Sequence, residues 1–212
     1  SAMSALANLQ TERLSRELRT CAVVVHTLAS ATELPGLLHA VIEEISEALE
    51  PAQTGIVFLW DASTGLMRPH AAFGYDLEIL KAVRLQEGES IPGKIYAKGE
   101  AYLFDTPEKI ARAIQDLRAQ NRALWVSALN AESLPVSVIG APIIAGEHKL
   151  GALYFESFKP SAVFTQQDLP FAQLIADLIA LAVERARLHA RAESHPAELP
   201  AVRLHFEVFE AI

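Results

Sequence analysis

The segment Val136-Ser-Val-Ile-Gly-Ala-Pro-Ile-Ile-Ala-Gly-Glu-His-Lys-Leu-Gly-Ala-Leu-Tyr-Phe-Glu156 decides the fold. Its two apolar runs, 136–145 and 149–156, flank Gly146-Glu147 and read as a β-hairpin. Neither run alternates cleanly between apolar and polar residues, so both of its faces are covered and the two strands belong at the centre of a sheet. A chain with 51% hydrophobic and 21% charged residues in 212 supplies enough apolar surface to build one core around them.

N-terminal to this hairpin, three more apolar runs read as strands. Residues 54–60 end in Asp61-Ala-Ser-Thr-Gly65, a turn, and pair with 66–73. Pro69 in the second run lacks an amide donor, which places that strand at a sheet edge. After a helical turn at 77–82 comes a weak strand at 83–85. The next strand, 101–105, is preceded by Glu87-Gly-Glu-Ser-Ile-Pro-Gly-Lys-Ile-Tyr-Ala-Lys-Gly-Glu100, whose cap candidate Ser90, early Pro92 and terminal Gly99 predict a short helix. Thr106-Pro107 caps a further helix in which Ile110, Ile114 and Leu117 share a face. From there to Leu134 runs a connection of about thirty residues, longer than compact domains ordinarily use and typical of a lid or binding loop.

Helices bracket these strands. Leu14, Leu18, Cys21, Val25 and Leu28 recur at spacings of four and three, which fits a helix pairing with another chain and equally one packing on its own domain. Residues 34–49 carry a broad stripe of Leu34, Leu37, Leu38, Val41, Ile42, Ile45 and Leu49. Phe164-Thr-Gln-Gln-Asp168 is a capping box and staple that opens a long helix running to about Glu193, its second half expected to leave the domain. The resulting division is 1–3 as an expression remnant, 4–33 as a signalling and dimerisation helix, 34–193 as the folded domain and 194–200 as a linker. Residues 201–212 alternate as one orphan strand, the start of a following domain.

Composition excludes several functions. A net charge of −8 without a Lys/Arg cluster repels phosphate backbones, so no nucleic acid is expected as a partner. The most apolar stretch, 174–183, is interrupted by Asp177 and falls short of the ~20 residues a bilayer span needs, so no membrane insertion is expected. One cysteine, Cys21, precludes an internal disulfide and suits a reducing, cytoplasmic setting. Cys21 has no second thiol to resolve an oxidised intermediate, which argues against thiol redox catalysis and leaves the catalytic set empty. The histidines are scattered, with His70 and His148 the sole candidates on the sheet for an axial ligand, so no haem or metal signature is present.

The order helix, helix, hairpin, short helix, lid, central hairpin, long helix resembles the GAF family of small-molecule sensor domains. Four stretches carry the resemblance: residues 87–100, Val138-Ile-Gly-Ala-Pro-Ile-Ile144, Leu150-Gly-Ala-Leu-Tyr-Phe-Glu156, and Phe164-Thr-Gln-Gln-Asp-Leu169 leading into the last helix. The resemblance implies an α+β, GAF-like (PAS-related) fold. Its antiparallel sheet would have about six strands, with the long terminal helices on one face and short helices, lid and ligand pocket on the other. It also implies a homodimer through the N- and C-terminal helices and a covalently attached output domain beyond the C-terminus. Such domains occur in bacterial transcriptional activators, histidine kinases, phosphodiesterases and cyclases. The Asn-Lys-Phe signature of the cyclic-nucleotide branch is missing, and Cys21 is misplaced for a bilin.

The expectation is therefore a regulatory domain responding to a small molecule of unknown identity, the alternative being a ligand-free dimerisation scaffold. Candidate pocket residues are Phe58, Tyr96, Phe104, Trp125, Ile139 and Phe155 for an apolar ligand; all serve equally as core, and their inward phase is open on strands buried on both sides. Ser90, Gly93 and Lys94 form the candidate anion subsite, because a helix beginning near Pro92 would leave the amides of Gly93 and Lys94 free.

Overall fold

A computed structural model describes residues 1–30, 33–130 and 133–194. The orphan strand at 202–209 and all of the linker after Ser194 lie outside the described residues. Five strands, β1 (Thr54–Asp61), β2 (Leu66–Phe73), β3 (Tyr102–Phe104), β4 (Ser137–Ala145) and β5 (His148–Ser157), form one antiparallel sheet in the order β2-β1-β5-β4-β3. The hairpin within 136–156 thus supplies the middle strand, β5, and its neighbour β4. Its close fit is set by Gly151, where a Cβ would sit 1.9 Å from the carbonyl oxygen of Phe58.

Pro69 lies on edge strand β2, where its missing amide withdraws nothing from an inner ladder. A bulge follows at once, since Val57 pairs with Ala71 and Phe58 with Pro69, leaving His70 as the extra residue. The expected sixth strand is not formed. Residues 83–85 make only an isolated bridge from Leu85 to Met67, because the chain then turns at Gln86–Gly88 into the next helix.

The two sheet faces bury different cores. Val57, Leu59, Ile139, Ala141, Leu153 and Phe155 point to one side; Ile56, Phe58, Val138, Ala152 and Tyr154 point to the other. The first side is covered by α1 (Ala2–Ala29), α2 (Leu34–Ala48) and α7 (Leu169–Ser194). Helix α2 buries Leu37, Leu38, Val41, Ile42 and Ile45, as its stripe predicts. Helix α7 follows a 3-10 turn at Gln166–Asp168 with the capping box in place, the Asp168 carboxylate accepting from the Thr165 amide at 2.7 Å.

Helices α1 and α7 run parallel. Near the start of α7, Arg13 pairs with Asp168 at 2.5 Å, and further along both helices the Arg185 guanidinium donates to the Leu28 carbonyl at 2.8 Å. The predicted seam on α1 divides accordingly. Leu28 is buried and Cys21 half-buried against α2 and α7, whereas Leu14, Leu18 and Val25 face solvent. The second half of α7 stays attached further than expected, since Arg187 donates to the Trp60 carbonyl at 3.3 Å, and from Leu188 to Ser194 every residue is exposed.

The opposite side of the sheet carries α3 (Leu77–Leu80), α4 (Ser90–Lys98), α5 (Pro107–Ala113) and α6 (Ala119–Leu129). The long connection is therefore two helices, α5 and α6, laid over the second core. Among the described residues no helix is long and apolar enough to cross a membrane.

Candidate functional site

Beneath α5 and α6 lies a cavity of about 310 Å³, within the range typical of small-molecule sites. Its walls are mainly apolar: Ile110, Ile114 and Leu117 from the α5 side, Trp125, Val126 and Leu129 from α6, and Pro135 leading into β4. Arg122, Ser133 and Leu134 also line it and are exposed, which marks them as its solvent edge. At the inner end stand Tyr75, Tyr154 and Glu156.

Glu156 reaches this position because β5 alternates. Leu153 and Phe155 point to the helical core, so Tyr154 and Glu156 point to the lid. Its carboxylate is 3% exposed and accepts from hydroxyl groups only. Thr54 Oγ1, on the paired residue of β1, donates to Oε1 at 2.9 Å, and the Tyr154 hydroxyl donates to Oε2 at 2.7 Å. The Tyr75 hydroxyl also donates to Oε1, and it accepts from Trp125 Nε1 at 2.8 Å. The indole N–H is a donor only, so it fixes the direction of this chain: Trp125 to Tyr75 to Glu156.

Burial pushes the Glu156 carboxyl above its ordinary pKa, with the bonds from Tyr75, Tyr154 and Thr54 acting in the opposite direction. Burial and the adjacent carboxylate push both tyrosines well above the usual phenol value, which keeps them protonated as donors. Trp125 is held in place by its tilted contact with Phe58, centroids 5.8 Å apart, and by an edge contact with Tyr154 at 6.0 Å.

A second buried carboxylate fastens the other end of the lid. Glu89, 5% exposed, accepts from Arg118 Nε at 3.0 Å, from the Arg118 amide at 3.0 Å, from Asn121 Nδ2 at 2.9 Å and from the Gln86 amide at 2.9 Å. Burial raises its pKa, but these bonds outweigh that effect and hold the carboxyl below the ordinary value. Beside it, Asp116 accepts from the Ser90 amide at 2.8 Å and from Lys94 Nζ at 2.5 Å. Ser90 has φ 57°, the left-handed region that a non-glycine residue enters at a cost, and Asp116 helps to hold it there.

This corrects the anion subsite. Helix α4 begins at Ser90 rather than near Pro92, so the Gly93 amide already donates to the Glu89 carbonyl at 3.1 Å. Lys94 is engaged as well, with the Gly88 and Ala113 carbonyls at 3.2 and 2.9 Å in addition to Asp116. The Asp116 carboxylate already takes the Ser90 amide and the Lys94 ammonium, two of the groups an anion there would have used.

The remaining candidates separate by strand phase. Ser90 and Trp125 line the cavity. Phe58 lies beneath Trp125, and Phe104 is buried in the same lid-side core without lining the cavity. Tyr96 stacks on Trp60, centroids 4.9 Å apart, outside the cavity. Ile139 and Phe155 project into the helical core on the far side of the sheet, with Ala141 and Ile143 of β4 and Leu153 of β5. Cys21 is on that side too, while His70 is half-buried on the edge strand and His148 exposed at the hairpin; neither lines the cavity. Sequence reading missed Glu156, Tyr154, Tyr75 and Thr54. The one signal available for Glu156 was a carboxylate interrupting a continuous apolar run, which reads more simply as the end of a strand.

A single antiparallel sheet with long helices along one face and a cavity under short helices on the other defines an α+β domain. The chain belongs to the GAF domain family, whose model matches residues 31–184. GAF domains are a sensor and regulatory domain type. No curated protein matches the chain. Among solved structures it is similar to the GAF domain of a phosphoenolpyruvate-protein phosphotransferase from Coxiella burnetii, at 21% identity and TM-score 0.69, over 84% of this chain and 98% of that one. It is also similar to free methionine-R-sulfoxide reductase from Neisseria meningitidis in complex with its substrate, at 19% identity and TM-score 0.60, over 78% and 87% of the two chains. A third likeness is to residues 122 to 287 of a methyl-accepting chemotaxis protein, at 14% identity and TM-score 0.63, over 78% and 98%. At these identities the likeness is one of fold.

Proposed function

We propose that this chain is the ligand-responsive regulatory domain of a cytoplasmic signal-transduction or transcription-regulatory protein. A small molecule enters beneath α5 and α6, and the long helices relay its presence to an attached output domain. The observation that carries this reading is the cavity: an apolar space of about 310 Å³ with a hydrogen-bonded polar end, walled by a lid whose Trp125 reaches the sheet through Tyr75. A ligand that bound the two lid arrangements unequally would shift their populations. The role is non-catalytic in this reading, which is supported by the place of the sole cysteine on the helical face, away from the cavity.

The relay requires a partner surface, and the long helices offer one to a second copy of the chain. Leu174, Leu181 and Leu188 on α7 recur every seven residues and are exposed, alongside exposed Leu14, Leu18 and Val25 on α1. A thermal-shift panel of nucleotides, 2-oxo acids, aromatic acids, alcohols and amines tests the sensor role; no shift with any member sinks it. Sedimentation tests the pairing, since a monomer at tens of micromolar contradicts it.

A further inference from the structure

We infer that the cavity is selective for a small organic cation: a protonated amine on an apolar or aromatic body, with the nitrogen at Glu156 and the body against Trp125 and the lid. This rests on the sensor reading above and names the ligand class for the same site.

The argument starts from how Glu156 is satisfied. An ionised carboxylate offers about four acceptor positions. Oε1 accepts from Thr54 and Tyr75 and Oε2 accepts from Tyr154, so Oε2 keeps one position unfilled on a residue that lines the cavity. All three partners are hydroxyls with a proton to donate, and Tyr75 in addition accepts from the Trp125 N–H. Three hydroxyl donors on one carboxyl favour its charged form, in opposition to the burial that favours the neutral one. Yet among the described residues no Lys, Arg or His nitrogen lies within 4.0 Å of that carboxylate. Buried carboxylates are ordinarily paired, as Glu89 is with Arg118, because an uncompensated buried charge is costly.

The missing countercharge is what a ligand can bring. A protonated nitrogen at the inner end would fill the remaining position on Oε2 with a charge-assisted hydrogen bond in a water-poor setting, where such bonds are strongest. An anionic head at that end would instead face Glu156 directly, and the cation on the cavity wall, Arg122, stands at the solvent edge with its guanidinium on the Ile114 carbonyl. Size sets the body: ~150 Å³ suffices for benzene, so about 310 Å³ accommodates a bicyclic aromatic amine.

The test uses one shape with three charges. Tryptamine, its alcohol counterpart tryptophol and its acid counterpart 3-indolepropionate are titrated calorimetrically into the intact chain near neutral pH. Tryptamine is expected to bind at least tenfold more tightly than tryptophol, and 3-indolepropionate more weakly than both. Glu156→Gln is expected to weaken tryptamine by tenfold or more and leave tryptophol unchanged. Equal or tighter binding of the alcohol or the acid overturns the inference, as does an unchanged tryptamine affinity in the variant. Should Glu156→Gln not fold, the charge series on the unaltered chain decides alone. Failure of tryptamine and phenethylamine while acids or alcohols of the wider panel bind would remove the cation and leave the sensor; failure of the whole panel would remove both.

Discussion

Glu89 and Glu156 are both buried carboxylates on the lid side of the sheet, yet they are solvated by the protein in opposite ways. Glu89 sits among an Arg, an Asn and two backbone amides and is held below its ordinary pKa; Glu156 sits among three hydroxyls and is raised. The first is electrostatically complete and fixes α6 against the start of α4. The second is oriented but not neutralised, and it lines the cavity. The two differ in whether the countercharge is built in.

Substitutions can break that contrast. The largest effect is expected for Glu89→Ala, which strands Arg118 and Asn121 and should lower unfolding stability by about 2–4 kcal/mol, the half-exposed Arg118 keeping it from the top of the range for buried pairs. Urea denaturation reads the loss, and hydrogen exchange should show faster opening across 118–121. An unchanged midpoint would show that the Glu89 cluster does not fasten the lid. Next comes Trp125→Phe, which keeps most of the packing on Phe58 and deletes the bond to Tyr75; a loss of about 1 kcal/mol is expected. A loss several times larger would mean that shape rather than the hydrogen-bonded chain holds α6 down.

Glu156→Gln should have the smallest effect, within about 1 kcal/mol near neutral pH, because the amide can accept from Tyr75 and Thr54 and donate to the Tyr154 oxygen. Its sign depends on pH. A raised pKa in the folded state gives stability that is present at low pH and lost as pH rises through the folded value, so the unaltered chain should lose ground to Glu156→Gln on going from acid toward neutral. Glu89 runs the other way. Its lowered pKa gives stability present above the ordinary carboxylate range and lost as pH falls through the folded value, so the deficit of Glu89→Ala should shrink in acid. Denaturation midpoints of the three proteins between about pH 4 and pH 8 check both slopes, and parallel slopes would erase the distinction between the two carboxylates.

The contrast also explains what could be read from the sequence. The strands, the edge position of Pro69, the α2 stripe and the capping box at Phe164–Asp168 depend on local spacing, and each is visible in a window of a few residues. Helix α6 was hidden because it buries only Asn121, Trp125 and Ala128, a face with one large apolar residue and hence a faint periodic signal. The phase of β4 and β5 was unreadable because both faces are apolar, which put Ile139 and Phe155 on the wrong side. The polar end of the cavity joins Thr54, Tyr75, Trp125, Tyr154 and Glu156 from four separate segments. No local pattern marks such a set. The anion subsite failed for a smaller reason: the helix starts two residues before Pro92, and that shift uses up the Gly93 amide.

The parallel course of α1 and α7, fixed at Arg13–Asp168 and again at Arg185–Leu28, gives the molecule a direction. The chain arrives along α1 from one end and departs along α7 toward the other, so the sheet and its cavity hang beside a shaft that passes straight through. Because α7 buries Phe171, Ile175 and Ile179 in the core shared with β4 and β5, any turning of that shaft would be felt by the sheet, and any shift of the sheet by the shaft.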